Sequence, residues 1–238
     1  MNKLDELFKN TDKELSGLVE DILENAPLPE NPLKPPEQTK KEAFASLADF
    51  FTGKDIRIRV EQGFKVIFRE LASYATPLVM DDIKAEWVNR SQSLIKEIHT
   101  AAPSCLQEDM NVSDETIEHF YQCGFRVYSQ KNYQEAADVF FVISLLSPRR
   151  HNIWMALGLS EKELNNHAPA LVAFSMAALT NMEDPLSFFH SAECYIALGE
   201  KEDAKECIEV ASDLLKGKSD LESKQLANAI LSIKKSLL

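Results

Sequence analysis

Phe120-Tyr121-Gln122-Cys123-Gly124-Phe125-Arg126-Val127-Tyr128 and, thirty-four residues on, Trp154-Met155-Ala156-Leu157-Gly158-Leu159-Ser160-Glu161-Lys162 are the stretches that decide the fold. Gly124 and Gly158 hold the same place in the two copies, four residues after an aromatic, Phe120 or Trp154. The register continues downstream, pairing Ala136 with Ala170 and Phe140 with Phe174. A third copy keeps step, with Phe188, Ala192, Tyr195, Ala204, Ile208 and Ala211 at the fourth, eighth, eleventh, twentieth, twenty-fourth and twenty-seventh positions. A fixed period of this length is the mark of stacked helical hairpins rather than of a single irregular core.

The pattern is that of the tetratricopeptide repeat, and it predicts three hairpins from about Ile117 to Lys216. Small residues at positions eight and twenty let two helices approach, and large ones at four and twenty-four fill the space around them. A hairpin of this kind cannot bury its apolar face alone, so neighbours stack, and the first helices line a concave surface. Groove positions two, five, nine and twelve are filled by Tyr121, Phe125 and Tyr128, by Asn152, Met155, Leu159 and Lys162, and by Leu186, Phe189, Glu193 and Ile196. The alternative for the three aromatics is burial against the preceding helices. Such a groove is aromatic and aliphatic with few charges, so its expected ligand is an extended apolar peptide segment. Ser219 with Glu222 is expected to open a capping helix carrying Leu226, Ile230, Ile233 and Leu237 on one face.

Upstream of the repeats the reading is all-α as well, since apolar residues recur at helical spacing and no sustained alternation suggests a sheet. Residues 1–24 form an expected amphipathic helix with Leu4, Leu7, Phe8, Leu15, Leu18, Val19, Ile22 and Leu23 on one face. Residues 25–39 are a linker, because Pro27, Pro29, Pro32, Pro35 and Pro36 forbid helix. Residues 40–110 read as about three helices: one opened by Thr39 and Glu42, one from about Asp55 to Ala75, and one after Pro77 carrying Ile83, Trp87, Leu94, Ile95 and Ile98. Their apolar faces either pack together or lie against the repeats. Residues 111–238 form the repeat domain with its last helix.

Composition narrows the function. The chain of 238 residues has a net charge of -12, and on either side of Met110 carboxylates outnumber cations, which argues against nucleic acid as a partner. No apolar run reaches the roughly 20 residues of a membrane span, and the acidic first residues do not resemble an export signal. Cys105, Cys123, Cys194 and Cys207 lie far apart without metal-ligand spacing and read as buried free thiols, so neither a metal nor another cofactor is expected. His99, His119, His151, His167 and His190 are scattered, and read as structural or surface residues. No nucleophile elbow, phosphate loop, HExxH or supported carboxylate pair occurs, so no catalytic residue is assigned and the chain is not expected to be an enzyme.

From Ser113 to about Lys235 the chain resembles the class II chaperones of bacterial type III secretion systems, which hold translocator subunits in the cytoplasm before export. The resemblance rests on residues 120–128, on Asn132-Tyr133-Gln134-Glu135-Ala136, and above all on Asp184-Pro185-Leu186-Ser187-Phe188-Phe189-His190-Ser191-Ala192-Glu193-Cys194-Tyr195. It implies a cytoplasmic protein without chemistry of its own that masks a hydrophobic translocator by holding a proline- and leucine-containing segment in the groove. It places Tyr121, Phe125, Tyr128 and Phe189 on the family's groove positions, and leaves monomer and homodimer both open. A scaffold that joins one protein through the groove to another through the N-terminal helices is the alternative. Members of the family have only a short helical segment before the first repeat, whereas this chain has about 110 residues there.

Pro27-Leu28-Pro29-Glu30-Asn31-Pro32-Leu33 itself has the character of such a ligand and either occupies the groove or serves as a stiff spacer. Removing residues 1–38 separates the two. Calorimetry with a client peptide then gives tighter binding if the segment competes for the groove, and unchanged affinity if it is a spacer.

Overall fold

Each repeat turns its chain with the same backbone. A computed structural model describes residues 56–86, 107 and 112–237, and within them Lys131, Asn165 and Gly199 have φ of 64°, 61° and 84°. These left-handed residues recur at the repeat spacing, each just past the first helix of a hairpin. The amides of Asn132, Asn166 and Glu200 then reach back to the carbonyls of Val127, Glu161 and Tyr195 at 3.0, 2.9 and 2.9 Å. This pattern satisfies carbonyls that the helix end leaves bare. Glycine adopts the conformation freely, asparagine tolerates it, and Lys131 holds it at a cost of about 1 kcal/mol.

The helices are α1 (Ile56–Tyr74), α2 (Asp114–Ser129), α3 (Tyr133–Leu146), α4 (His151–Glu163), α5 (His167–Thr180), α6 (Pro185–Leu198), α7 (Lys201–Leu214) and α8 (Leu221–Ser236). Residues 77–86 are helical too. The described part of the protein is all-α, with α2/α3, α4/α5 and α6/α7 forming the three hairpins. The expected helix at 1–24, the proline-rich linker, the helix opened by Thr39 and the run from Trp87 to Ile98 lie outside the described residues. The chain forms two compact units that divide after Pro148.

In the first unit α1 packs along the first hairpin, chiefly on α3. The apolar face of α1 thus lies against the repeat, with Val60, Val66, Ile67 and Leu71 buried. The approach is close at Gly63, where a Cβ would sit 2.4 Å from the Asp138 carbonyl oxygen and 2.6 Å from Val142 Cγ2. Arg59 bonds Asp138 at 3.2 Å and stacks over Phe141 at 4.4 Å. Arg69 spans both carboxylate oxygens of Glu135 at 2.9 and 2.7 Å. The start of α2 is fastened as well: Ser113 accepts from the Thr116 amide at 3.1 Å, and Glu86 accepts from the Thr116 hydroxyl at 2.7 Å. Gln107 donates to Asp114 at 2.7 Å and accepts from the Ser147 hydroxyl.

In the second unit α8 completes the core of the third repeat, where Ile230 and Leu237 join Phe189, Ala192, Ala204, Ile208, Ala211 and Leu215, with Leu226 and Ile233 packed against them. Its cap differs by one residue from the expected one. Asp220, not Ser219, caps the helix, accepting from the Ser223 amide at 2.9 Å and the Ser223 hydroxyl at 2.7 Å. An aspartate is preferred there because its charge also meets the positive end of the helix dipole.

Inside each hairpin, positions eight and twenty-four are in contact. A Cβ on Gly124 would meet the Phe140 ring at 2.7 Å, and one on Gly158 would meet the Phe174 ring at 2.6 Å. The third repeat carries Ala192 and Ile208 at these positions, both fully enclosed in one cluster. The larger residue at eight thus goes with the thinner one at twenty-four. Gly158→Ala is expected to destabilise the protein by about 1 kcal/mol, because overpacking costs about 1–3 kcal/mol and outweighs the helix-propensity gain of about 1 kcal/mol. The pair Gly158→Ala/Phe174→Ile should recover part of the loss in urea unfolding.

Candidate functional site

The residues expected to contact a peptide lie on the first helices of the hairpins, and each unit carries its own set. On α2, Phe120, Cys123 and Val127 face inward and are fully buried, which leaves Tyr121, Phe125 and Tyr128 on another side of the helix. Phe125 is 54% exposed. Tyr121 is half-buried, with its ring 5.5 Å from that of Phe140, and Tyr128 is half-buried with its ring 5.2 Å from Tyr133. Both of these neighbours belong to α3 of the same hairpin. Where α1 meets α2, Phe64 sits edge-on to Phe120 at 6.4 Å, Tyr74 donates to the His119 carbonyl at 3.2 Å, and Arg126 lies over the Tyr74 ring at 5.0 Å. Glu70, itself buried, accepts from Arg126 at 3.4 Å.

In the second unit α4 and α6 bring their expected groove residues together. Lys162 Nζ lies 2.6 Å from Glu193 Oε2, joining position twelve of one repeat to position nine of the next. Met155 and Leu159 pack on the cluster formed by Ala170, Phe174 and Cys194. Leu186 and Ile196 are exposed at 42% and 36%, Asn152 is exposed, and Phe189 is withdrawn to 9% in the core of the third repeat. Phe189 therefore forms the wall beneath this face, while Leu186 and Ile196 form its open part.

Sequence reading missed His190. Its Nδ1 stands 2.8 Å from Glu193 Oε2 and 3.1 Å from Lys162 Nζ, and its ring stacks on Phe174 at 5.2 Å and meets Phe189 edge-on at 5.3 Å. The local signal was the His190/Glu193 spacing of three, which puts both on one helix face; the Lys162 contact needs the tertiary fold. Burial works to raise the Glu193 carboxyl, but the bonds from His190 and Lys162 overcome it and hold it below the usual carboxylate range. The one cation among the expected groove residues is thus neutralised within the protein.

His151 plays a structural part. Its Nδ1 lies 2.9 Å from the Ala177 carbonyl, which can only accept, and its Nε2 lies 2.9 Å from Asp184 Oδ2. Asp184 also caps α6 by accepting from the Leu186 amide at 3.1 Å, so one imidazole joins the start of α4, the end of α5 and the start of α6. Donation at both nitrogens requires the imidazolium. The three described thiols are inert fillers by contrast: burial pushes Cys123 and Cys194 up to about 11 and Cys207 up to about 12, so all three are protonated near neutral pH, while Cys105 lies outside the described residues. Among the described residues no His, Cys, Asp and Glu side chains group as metal ligands, and no helix is long and apolar enough to cross a membrane.

No family model matches the chain. The low calcium response locus protein H of Yersinia pestis is 26% identical to it over 122 residues, 51% of this chain and 71% of that protein. The chain is homologous to that protein. Its structure also matches the Yersinia enterocolitica type III secretion translocator chaperone SycD, solved alone and in complex with a peptide of the translocator YopD. The complex has a TM-score of 0.51 and 25% identity, covering 53% of this chain and 95% of the SycD chain. PcrH in complex with the chaperone binding region of PopD matches at a TM-score of 0.50 and 25% identity, covering 53% and 93%. SycD is also known as an alternative dimer.

The bond from Asp184 is the largest cause that raises the His151 pKa above the ordinary 6.5. A raised folded value means stability that is fully present below the unfolded pKa and lost as pH rises through the folded one. The thermal midpoint is therefore expected to fall as the pH is taken from 6 toward 8.5. His151→Gln should remove that slope and, at pH 6, about 1 kcal/mol after discounting for partial exposure.

Proposed function

We propose that this chain is a type III secretion chaperone that binds an extended segment of a hydrophobic translocator in the bacterial cytoplasm and keeps it from aggregating or inserting before export. The observation that carries this reading is the internal pairing of Lys162 with Glu193 on a face that also carries Met155, Leu159, Leu186 and Ile196, with Asn152 as its other polar residue. A receptor for a charged peptide terminus keeps its cations unpaired, because a carboxylate must find a partner as it leaves water. Here the lysine is already satisfied, so the ligand that gains most is apolar and enters as an internal segment with its backbone extended. The exposed Phe125, beside Tyr121 and Tyr128, adds a second apolar surface on the first unit.

The homology with low calcium response locus protein H and the likeness to SycD and PcrH support the translocator as the client. Binding without reaction suffices for this task. A segment destined for a membrane exposes apolar area, and each Å² withheld from water is worth about 25 cal/mol, so masking a few side chains competes with aggregation. Homodimers fit the same reading, as SycD forms them.

The test is co-purification from the source bacterium with Tyr121→Ala/Phe125→Ala and, separately, Leu186→Asp/Ile196→Asp. The wild type is expected to retain one hydrophobic secreted protein, and each double variant to lose at least tenfold in affinity, the size expected when central apolar anchors are removed. Unchanged recovery of the same partner with both variants, each shown folded by circular dichroism, overturns the reading.

A further inference from the structure

The run Phe188-Phe189-His190-Ser191-Ala192-Glu193-Cys194 contains one group that neither packing nor an apolar ligand requires, the His190 imidazole. Phe174 and Phe189 hold the ring in plane and on edge, so its orientation is fixed by packing. Its Nδ1 faces a carboxylate oxygen at 2.8 Å and an ammonium at 3.1 Å, and the two contacts demand opposite tautomers. A proton on Nδ1 serves the shorter contact and lets Glu193 Oε2 accept from both His190 and Lys162, with Lys162 closing the pair at 2.6 Å. Both hydrogen bonds of the ring are made at Nδ1, none is seen at the other nitrogen, Nε2, among the described residues, and the side chain keeps 16% of its exposure. Nε2 lies in the ring that sits between two groove positions, twelve on α4 and nine on α6.

We propose that His190 is the polar reading head of the client-binding face of α4 and α6: Glu193 holds its Nδ1 proton, and the neutral ring accepts through Nε2 a hydrogen bond from an N–H or O–H of an extended peptide segment. This rests on the peptide-binding function proposed above and adds to it a directional contact with the bound backbone. An extended segment brings unsatisfied backbone amides with it, and leaving one buried without an acceptor costs as much as a lost apolar anchor. Lys162 and Glu193 are then positioning residues, acting through the imidazole.

The test uses the full chain, the YopD peptide seen with SycD and the PopD region seen with PcrH as probes. His190→Phe keeps the stacked ring and removes the acceptor; His190→Gln keeps an acceptor without the ring. Titration calorimetry at pH 7.5 is expected to show about five- to tenfold weaker binding for His190→Phe, with His190→Gln in between. Nitrogen-15 spectra of the imidazole in the free protein should report a proton on Nδ1 and none on Nε2. An Nε2-protonated tautomer, or equal affinity of wild type and His190→Phe, overturns this inference while leaving the chaperone reading in place. Absence of binding by the wild type to both probes and by every variant removes that reading, and this inference with it.

Discussion

The contact between position eight of a first helix and the ring at position twenty-four of its partner sets the spacing of everything else. Gly124 and Gly158 let Phe140 and Phe174 lie against bare backbone, at distances where a methyl group could not stand. In the second unit, with the α4/α5 hairpin fixed at this separation, α4 turns its opposite face toward α6. Lys162 on α4 thereby comes within 2.6 Å of Glu193 on α6, although neither residue takes part in the packing that aligns them. Phe174 contributes to both levels, filling the hairpin on one side and stacking on His190 on the other.

Much of this was legible as spacing. The glycine pair, the two phenylalanines and the small residues at twenty announce the hairpins because they are the parts that cannot vary without a steric penalty. The helix from about Asp55 was also visible, but its destination was not: Gly63 looks like a defect in a helix until the Asp138 carbonyl is found 2.4 Å from where its Cβ would be. The turns at Lys131 and Asn165 escaped for the opposite reason, since neither residue advertises a left-handed backbone as Gly199 does. Asp220 was overlooked beside Ser219 because both are good caps, and only the geometry separates adjacent candidates.

The site divides along the same line. Exposed apolar positions such as Phe125, Leu186 and Ile196 follow from helical phase alone, whereas the retreat of Phe189 into the third repeat depends on how α6 and α7 meet. Charge was the least legible. Lys162 read by itself suggests a ligand carboxylate, and its satisfaction by Glu193 is a property of two repeats together. His190 could be singled out from the sequence only as part of a distinctive run; its meaning lies in the three side chains around it.

The way α1 is attached has a consequence for the order of events on the ribosome. Hairpins such as α4/α5 close between neighbours in the chain, but the Arg59–Asp138 and Arg69–Glu135 bonds join residues 79 and 66 apart. Val60, Ile67 and Leu71 are therefore made well before the surface that buries them exists. At about 5–20 residues per second, α1 waits several seconds with its apolar face uncovered, and the later closure carries the slower kinetics of a non-local contact. On the proposed function, a protein that shields unpartnered apolar segments thus emerges with one of its own, and relies on its own downstream repeat to shelter it.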